Sequence, residues 1–518
     1  MMASDVEKEL SRLLQEIHAQ EAAIAQLVDR SHPLYQASAR NLFVYLMIRS
    51  KDLRLFHGPL SDLGISALRT TESHAYSNLT NVIAWLRLIQ GKSSINFPLK
   101  GQSIDYSHGK QLIGQHAQEL FDIHPNAHHG QVMVTLPIEA AEDKAIVLSM
   151  AEAGMDVARI NLSHGEQADW GKMVHYVQEV SKEIGHRISI YMDLSGPKLR
   201  TAAIRRLSKK GKPKDKIPVR KGEQLLLTKK ETWGRKSVFN EEGKQIQLGE
   251  VGVMLPQLID DAEVGDPILF DDGMIKAKVV RKGEEELELQ IVECYKSKLG
   301  SRKGINLPQT QLNLPALTQK DRENLAFVCE HADLVGYSFV RSAEDVEILY
   351  QELAKYPNEN LGVIFKIENK EAFENLPAML FAAMTRPKIG VMIARGDLAV
   401  EIGFERISEV QNQILWLCEA AHIPVVWATQ VLENLAKTGI PTRAEISDAA
   451  QAAQAECVML NKGPHINQAI RTLKNILARM EGHASKKKNE LRALNVAKAY
   501  VANVTAGTIP SPSLEFIP

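Results

Sequence analysis

The chain has 518 residues, 44% of them apolar and 24% charged, with a formal net charge of −1. That length suggests roughly two to four domains, and the composition is that of a globular protein. The near-neutral charge gives no reason to expect nucleic acid as a partner. No apolar run approaches the ~18 residues of a membrane span, and the start, MMASDVEKEL, lacks the apolar segment of a secretion signal.

Residues 1–120 read as a helical N-terminal extension. Ser4 and Glu7 have the spacing of a capping box. Val6, Leu10, Leu13, Leu14, Ile17, Ile24 and Leu27 then recur at helical spacing. The apolar segments Leu42–Ile48 and Val82–Ile89 are expected to pack on that face. No chemical motif occurs here, so docking on the rest of the chain or assembly is the expected role.

From Gln131 onward short apolar runs alternate with helical patterns, the mark of βαβ units. Candidate strands are Val132–Leu136, Val157–Leu162, Ile188–Asp193, Leu334–Phe339, Val363–Ile367, Ile389–Ile393, Val425–Ala428 and Cys457–Leu460. Eight such strands predict an α/β fold of the (β/α)8 TIM barrel type over residues 121–201 and 302–480. Residues 202–301 differ: Gln224–Thr228, Ile268–Phe270, Ile275–Val280 and Leu287–Cys294 are strand-like, with turns at Asp271–Gly273 and Lys282–Gly283. They predict an inserted antiparallel β domain, a β-barrel lid. The basic run Arg205–Lys221 reads as a solvated loop. Residues 481–518, with SKKKNE and the ending TIPSPSLEFIP, read as a helix and a loose tail. The four cysteines, Cys294, Cys329, Cys418 and Cys457, form no CxxC pair. They point to reduced thiols and a cytoplasmic protein.

The active site of such a barrel forms at the C-terminal ends of its strands. Polar residues collect there: Arg159, Asn161, Ser163 and His164; Asp193; Ser338 and Arg341; Lys366 and Glu368; Arg395, Gly396 and Asp397; Thr429 and Gln430; Asn461 and Lys462. Glu368 and Asp397 follow consecutive strands, whose axes lie ~4.8 Å apart, so both can reach one magnesium ion. Two surface acids would give the same spacing. Lys366 shares the face of Glu368, either as a fixed charge for a phosphoryl group or as a salt-bridge partner. Arg159, Asn161 and Ser163 also share one face, and arginine suits phosphate or carboxylate.

The stretches AEAGMDVARINLSHG (151–165), MDLSGPKLRT (192–201), SRKGINLP (301–308), FKIENKEAF (365–373), MIARGDLAVEIG (392–403), ATQVLENL (428–435) and PTRAEISDAA (441–450) together resemble the successive signatures of the pyruvate kinase family. The resemblance runs from about 130 to 475 and leaves out the N-terminal stretch. It implies Mg-dependent phosphoryl transfer from phosphoenolpyruvate to ADP, giving pyruvate and ATP in glycolysis, with Mn2+ able to substitute. It implies Glu368 and Asp397 as ligands of Mg2+, and Lys366, Arg159 and Thr429 as catalytic. Arg159, Lys366, Gly396, Asp397 and Thr429 would bind substrate, and Asn161, His164, Arg200 and Lys303 the nucleotide. Asn161, Ser163, Asp193 and Leu194 match the position of a monovalent cation.

Departures from the family pattern alter this expectation. Leu194 and Lys198 stand where potassium-dependent members have threonine and glutamate. An ammonium at Lys198 can take the place of the ion and would repel it, so K+ is expected not to be required. The first strand ends in TLPIEA where the family usually shows TIGP, and NKG at 461–463 replaces the family's SGET segment, which serves protonation. With the end near residue 518, the family's C-terminal regulatory domain is expected to be absent, and a homodimer through the barrels is expected. Two alternatives remain: a non-catalytic relative that binds metabolites and regulates, and an enolate-forming aldolase.

Overall fold

Eight short strands, nearly every residue buried, close into a parallel barrel in the computed structural model of the chain, which describes residues 2–65, 67–93, 103–123, 130–207, 213–230, 232–358, 360–480 and 493–507. They are β1 (Gln131–Thr135), β2 (Val157–Asn161), β3 (Ser189–Asp193), β4 (Leu334–Tyr337), β5 (Gly362–Ile367), β6 (Ile389–Ala394), β7 (Val425–Ala428) and β8 (Cys457–Leu460). Each is a strand expected from the sequence, with its ends moved by at most two residues. β4 stops short because Phe339 adopts φ 57°, which no strand tolerates. Val134 pairs with Leu460 to close the ring, and Asn161 pairs with Asp193. Side chains alternate: Met133, Val157, Tyr191, Ile364 and Met392 fill the interior, while Val132, Ala158, Ile190 and Val363 face the helices.

The floor of the barrel is closed by the helix Tyr106–Phe121, which Asp105 caps by accepting the His108 backbone N–H at 2.7 Å. Its last turn drives Leu120 and Phe121, 4% and 2% exposed, into the interior core. Burial of each stabilises by about 1.5–3 kcal/mol. Gly362 on β5 and Gly390 on β6 make the space: a Cβ on either would stand 2.8 and 2.7 Å from the Leu120 methyl groups.

The other N-terminal helices share one core with the barrel helices. Gln36–Arg49 is buried almost all round. Within it Asn41 donates to the carbonyls of Glu72 and Ala420, and accepts from the backbone N–H of Ala75. The helix cap differs from the Ser4–Glu7 expectation. The first helix starts at Ala3, and Asp5 accepts the Met2 backbone N–H at 2.9 Å. Glu7 is free for another task and pairs with Arg87 and Lys92 at 3.1 and 2.8 Å. The helix Asn495–Thr505 packs on the same side, with the rings of Tyr500 and Phe381 stacked 5.5 Å apart.

Between β3 and β4 lies a six-stranded sheet with its own core of Leu225, Leu227, Ile268, Phe270, Val279 and Leu289. Its order is Gly249–Gly252, Gln224–Thr228, Glu286–Cys294, Ile275–Lys282, Pro267–Phe270, Ile305–Asn306. All neighbours are antiparallel except the first pair, which the intervening crossover allows to be parallel. Leu199, Ile305, Leu307 and Leu314 belong to this second core. Part of the basic run from Arg205 to Lys221 lies outside the described residues. In the rest Lys214, Lys216 and Arg220 are exposed, while Ile217 and Val219 anchor the segment in the insert. The SKKKNE and TIPSPSLEFIP stretches also lie outside the described residues.

Candidate active site

At the C-terminal mouth the strand ends bring four ionised side chains into one nearly dry cluster. Arg159, Asp193, Lys366 and Glu368 are 9%, 2%, 8% and 4% exposed. Asp193 is the hub. It accepts from Arg159 Nε at 3.2 Å, from Lys366 Nζ at 3.1 Å and from the Tyr191 hydroxyl at 3.0 Å. Arg159 also donates to Thr135 Oγ1 at 2.8 Å. Lys366 donates to Ser338 Oγ at 2.7 Å and pairs with Glu368 Oε1 at 3.1 Å. The other oxygen of Glu368 accepts the Phe339 N–H at 2.7 Å. The left-handed turn at Phe339 therefore aims a backbone donor into the site. Two cations face two anions, so burial is compensated.

The titration of these groups follows from that arrangement. Burial alone would raise the Asp193 carboxyl, but Lys366 and Arg159 outweigh it and hold it below the usual range. Burial would lower Lys366, and the carboxylates of Asp193 and Glu368 reverse the effect. Glu368 is raised, first by burial and then by the neighbouring charges of Asp397 and Asp193, against the pull of Lys366.

Asp397, in the first turn of the helix Arg395–Ile402, lines the same cavity of ≈ 150 Å³ as Arg159, Lys366 and Glu368. Both its oxygens accept from Lys198 Nζ, at 3.0 and 2.8 Å. Glu368 and Asp397 thus form an oxygen donor set whose mutual repulsion a divalent cation would relieve, and these residues fit Mg2+. Lys198 points at Asp397; no bond joins it to Asn161, Ser163 or Asp193. Asn161 Oδ1 accepts the Ser163 N–H at 3.0 Å, and Ser163 Oγ donates to Ser195 Oγ at 3.3 Å. Leu194 is buried, with its carbonyl accepting from Ser338.

Thr429 lines the cavity with φ 68° and a buried Oγ1 that has no partner among the described residues. Arg395 holds this strained turn: it donates to the carbonyls of Ala428 and Thr429, pairs with Asp448, and stacks 4.8 Å from the Trp427 ring. Gly396 packs against Thr429. His164 and Arg200 line the rim of the cavity. Lys303 does not: its ammonium pairs with Asp271 of the insert hairpin at 2.9 Å. Arg341 turns to a second cavity, donating to the Leu312 carbonyl at 3.0 Å. Sequence reasoning missed Tyr191, Thr135 and Asp448. Tyr191 was within reach, since it stands two residues before Asp193 on one face of β3; nothing in the sequence joins Asp448 to Arg395.

The model of the family described as "Pyruvate kinase, barrel domain" matches residues 128–465. The chain is 32% identical over 349 residues to the pyruvate kinase of Geobacillus stearothermophilus, covering 66% of this chain and 55% of that one. It is 32% identical over 356 residues to that of Bacillus licheniformis, with 67% and 57% covered. With the pyruvate kinase of Clostridium acetobutylicum it shares 32% over 355 residues, 66% of this chain and 68% of the other. The chain spans a little over half the length of the first two relatives. Closed barrel, charged mouth and sequence likeness agree, and the chain belongs to the pyruvate kinase family.

Proposed function

We propose that the chain transfers the phosphoryl group of phosphoenolpyruvate to ADP, giving pyruvate and ATP as in glycolysis. The observation that carries this is the buried cluster of Arg159, Asp193, Lys366 and Glu368 beside Asp397 in one cavity. Phosphoryl transfer asks a protein mainly for positioning and for charge compensation. Arg159 and Lys366 are held rigidly by Asp193, and both can turn their remaining donors on phosphoryl oxygens. Mg2+, held by Glu368 and Asp397, would supply a further positive charge on the substrate oxygens. Asp397 is released for it when Lys198 swings away. The P–O bond of phosphoenolpyruvate breaks as the ADP oxygen bonds to phosphorus, leaving the enolate of pyruvate. Proton delivery to its methylene carbon falls to the side of Thr429, whose buried Oγ1 has no partner among the described residues. Gly396 lies where the substrate carboxylate would rest. His164, Arg200 and Asn161 receive the nucleotide, with Lys303 approaching on the insert as a lid that excludes water.

Once off Asp397, the ammonium of Lys198 supplies the charge of a monovalent cation, so K+ is not required. A coupled assay with tetramethylammonium as the sole monovalent cation tests both statements. Turnover is expected without potassium and lost in Lys366→Met and Glu368→Ala. A rate that collapses without K+ removes the role given to Lys198. The absence of any ATP and pyruvate formation would favour a second reading, a metabolite-binding regulator. That reading draws on the replacement of the family's protonation segment by Asn461 and Lys462. Among the described residues no helix is long and apolar enough to cross a membrane.

A further inference from the structure

One layer below the charged cluster, inside the barrel, lies a polar group that charge compensation does not require. Tyr191 stands two residues before Asp193 on β3, so both side chains point inward. It is fully buried and shares the interior core with Met133, Val157 and Ile364. Its hydroxyl donates to Asp193 Oδ1 at 3.0 Å. Arg159 Nε bonds to the other oxygen, Oδ2, at 3.2 Å, and Lys366 Nζ bridges the two, 3.1 Å from Oδ1 and 3.2 Å from Oδ2. The carboxylate is therefore held by two cations at the mouth and by a phenol from beneath.

The neighbouring strand makes room for this contact. Gly336 of β4 is in register with Asp193. A Cβ on Gly336 would fall on the Tyr191 hydroxyl and stand 2.6 Å from Asp193 Oδ1. Glycine inside a strand weakens it, and often marks the close approach of another group. Here β4 gives up a side chain so that the tip of the Tyr191 ring can reach the carboxylate. Filling the interior does not by itself call for a hydroxyl, because hydrocarbon fills the space around it. A buried phenol needs a hydrogen-bond partner, and this one takes the hub of the site. Burial, then the charge of Asp193, raise the phenol well above its ordinary range. It therefore stays protonated and acts on the carboxylate as a donor.

We propose that Tyr191 is a positioning residue of phosphoryl transfer, its hydroxyl fixing the Asp193 carboxylate from beneath so that Arg159 and Lys366 keep their aim. The proposal rests on the phosphoryl-transfer reading above. Asp193 holds both cations, and both must also face the phosphoryl group. An N–H that Lys366 turns from Asp193 Oδ1 to a phosphoryl oxygen leaves that oxygen with the Tyr191 hydroxyl as its donor. Without the hydroxyl, the buried carboxylate would either hold the ammonium back or rotate after it. Arg159, bound to Oδ2 of the same group, would then shift with it. Tyr191 is not among the residues that line the cavity, so it acts through Asp193 and not by contact with substrate.

The test measures kcat and the KM values for phosphoenolpyruvate and ADP on the full chain. Isothermal titration with phosphoenolpyruvate in the presence of Mg2+, and thermal unfolding, accompany them. Tyr191→Phe keeps the ring and removes only the hydroxyl. Its kcat/KM for phosphoenolpyruvate should fall on the order of tenfold, as expected when groups that meet the phosphoryl group lose their alignment. Part of that loss should appear as a raised KM and a weaker affinity for phosphoenolpyruvate, while KM for ADP stays within about twofold. Gly336→Ala should reproduce the pattern in the molecules that stay folded, because its methyl displaces the hydroxyl. A lower Tm in Tyr191→Phe with unchanged kcat/KM for phosphoenolpyruvate would overturn the proposal and leave the reaction standing. A lower kcat with both KM values and the phosphoenolpyruvate affinity unchanged would also overturn it, because a smaller folded fraction gives the same result. If the unmodified chain forms no ATP yet binds phosphoenolpyruvate more tightly than Tyr191→Phe does, the hydroxyl's hold on the site stands and the kinase reading falls. If it neither turns over nor binds phosphoenolpyruvate, both fall.

Discussion

At one end of the barrel Arg159, Asp193, Lys366 and Glu368 crowd charge into a space that water scarcely reaches; at the other, Leu120 and Phe121 fill the same ring of strands with hydrocarbon. The strands are continuous between the two. The mouth tolerates charge because each ion is paired, yet like charges such as Glu368 and Asp397 remain close enough to repel. The floor has no such conflict. A substitution at the mouth should therefore cost activity far more than stability, and one at the floor should do the reverse.

The largest expected effect is that of Glu368→Gln. The amide keeps an oxygen to accept from Lys366 but turns its NH2 toward the Phe339 N–H, so stability should fall by about 1–3 kcal/mol. On the proposed function, removing the charge that would hold the metal should lower kcat by roughly 10²–10³. Thermal unfolding and the coupled assay on one sample measure both. A large fall in Tm with the lost rate would mean that the mouth is a structural cluster after all.

The floor predicts the opposite outcome. Leu120→Ala removes a side chain that Gly362 and Gly390 were left bare to admit, and should destabilise by about 2–5 kcal/mol. KM values of the molecules that stay folded should be unchanged. Gly390→Ala alone overpacks the same spot, its Cβ meeting Leu120 first, and should cost about 1–3 kcal/mol. In the Leu120→Ala background most of that cost should vanish, because the added methyl enters the vacated space. Additive effects in denaturant titrations would show that Leu120 does not fill the floor.

The contrast also explains what the sequence reveals. The barrel strands are legible because both of their faces are buried, leaving runs such as Val425–Ala428 that only a covered parallel sheet explains. The charged mouth is legible because side-chain alternation is rigid once a strand is located, as with Arg159 and Asn161 or Lys366 and Glu368. The helix Tyr106–Phe121 is not, because its role depends on two glycines more than two hundred residues away. Lys198 was placed with Asn161 and Asp193 by motif, whereas its flexible stem carries the ammonium to Asp397. Arg395 was expected to face the pocket with Asp397, but it bends back onto Asp448 and the Thr429 carbonyl.

A pH dependence should separate the ends further. His422, at the junction of the N-terminal helices and the barrel, is fully buried between Ser38 Oγ at 3.0 Å and the Ser73 carbonyl at 2.9 Å, and His116 donates to its backbone carbonyl. Burial lowers it to about 3, with His116, His108 and His74 adding to the fall. The unfolded chain then takes up a proton near pH 6.5 that the folded chain refuses, so stability decreases as pH falls below that value. Between pH 7 and pH 5 the loss should be about 2 kcal/mol. It should shrink in His422→Asn, measured as the difference in unfolding free energy at the two pH values. An equal loss in the variant would assign the dependence to other groups.

The smallest effect concerns strain, which both ends contain. Asp122 at φ 53° ends the floor helix, and Phe339 at φ 57° ends β4 at the mouth. Asp122→Gly relieves a left-handed residue, a gain of about 1 kcal/mol, and loses an ion pair with Arg187 whose partners are 57% and 61% exposed, worth less than ~1 kcal/mol. A net gain of a few tenths of a kcal/mol, with unchanged activity, is expected. Phe339→Gly relieves the same strain but frees the turn whose N–H holds Glu368, and removes the ring that lies 5.8 Å from the Lys198 ammonium. Its kcat should fall roughly tenfold, as expected when a positioned group loses its support. If Phe339→Gly keeps full kcat, the backbone strain at the mouth serves packing alone, and the two left-handed residues are equivalent.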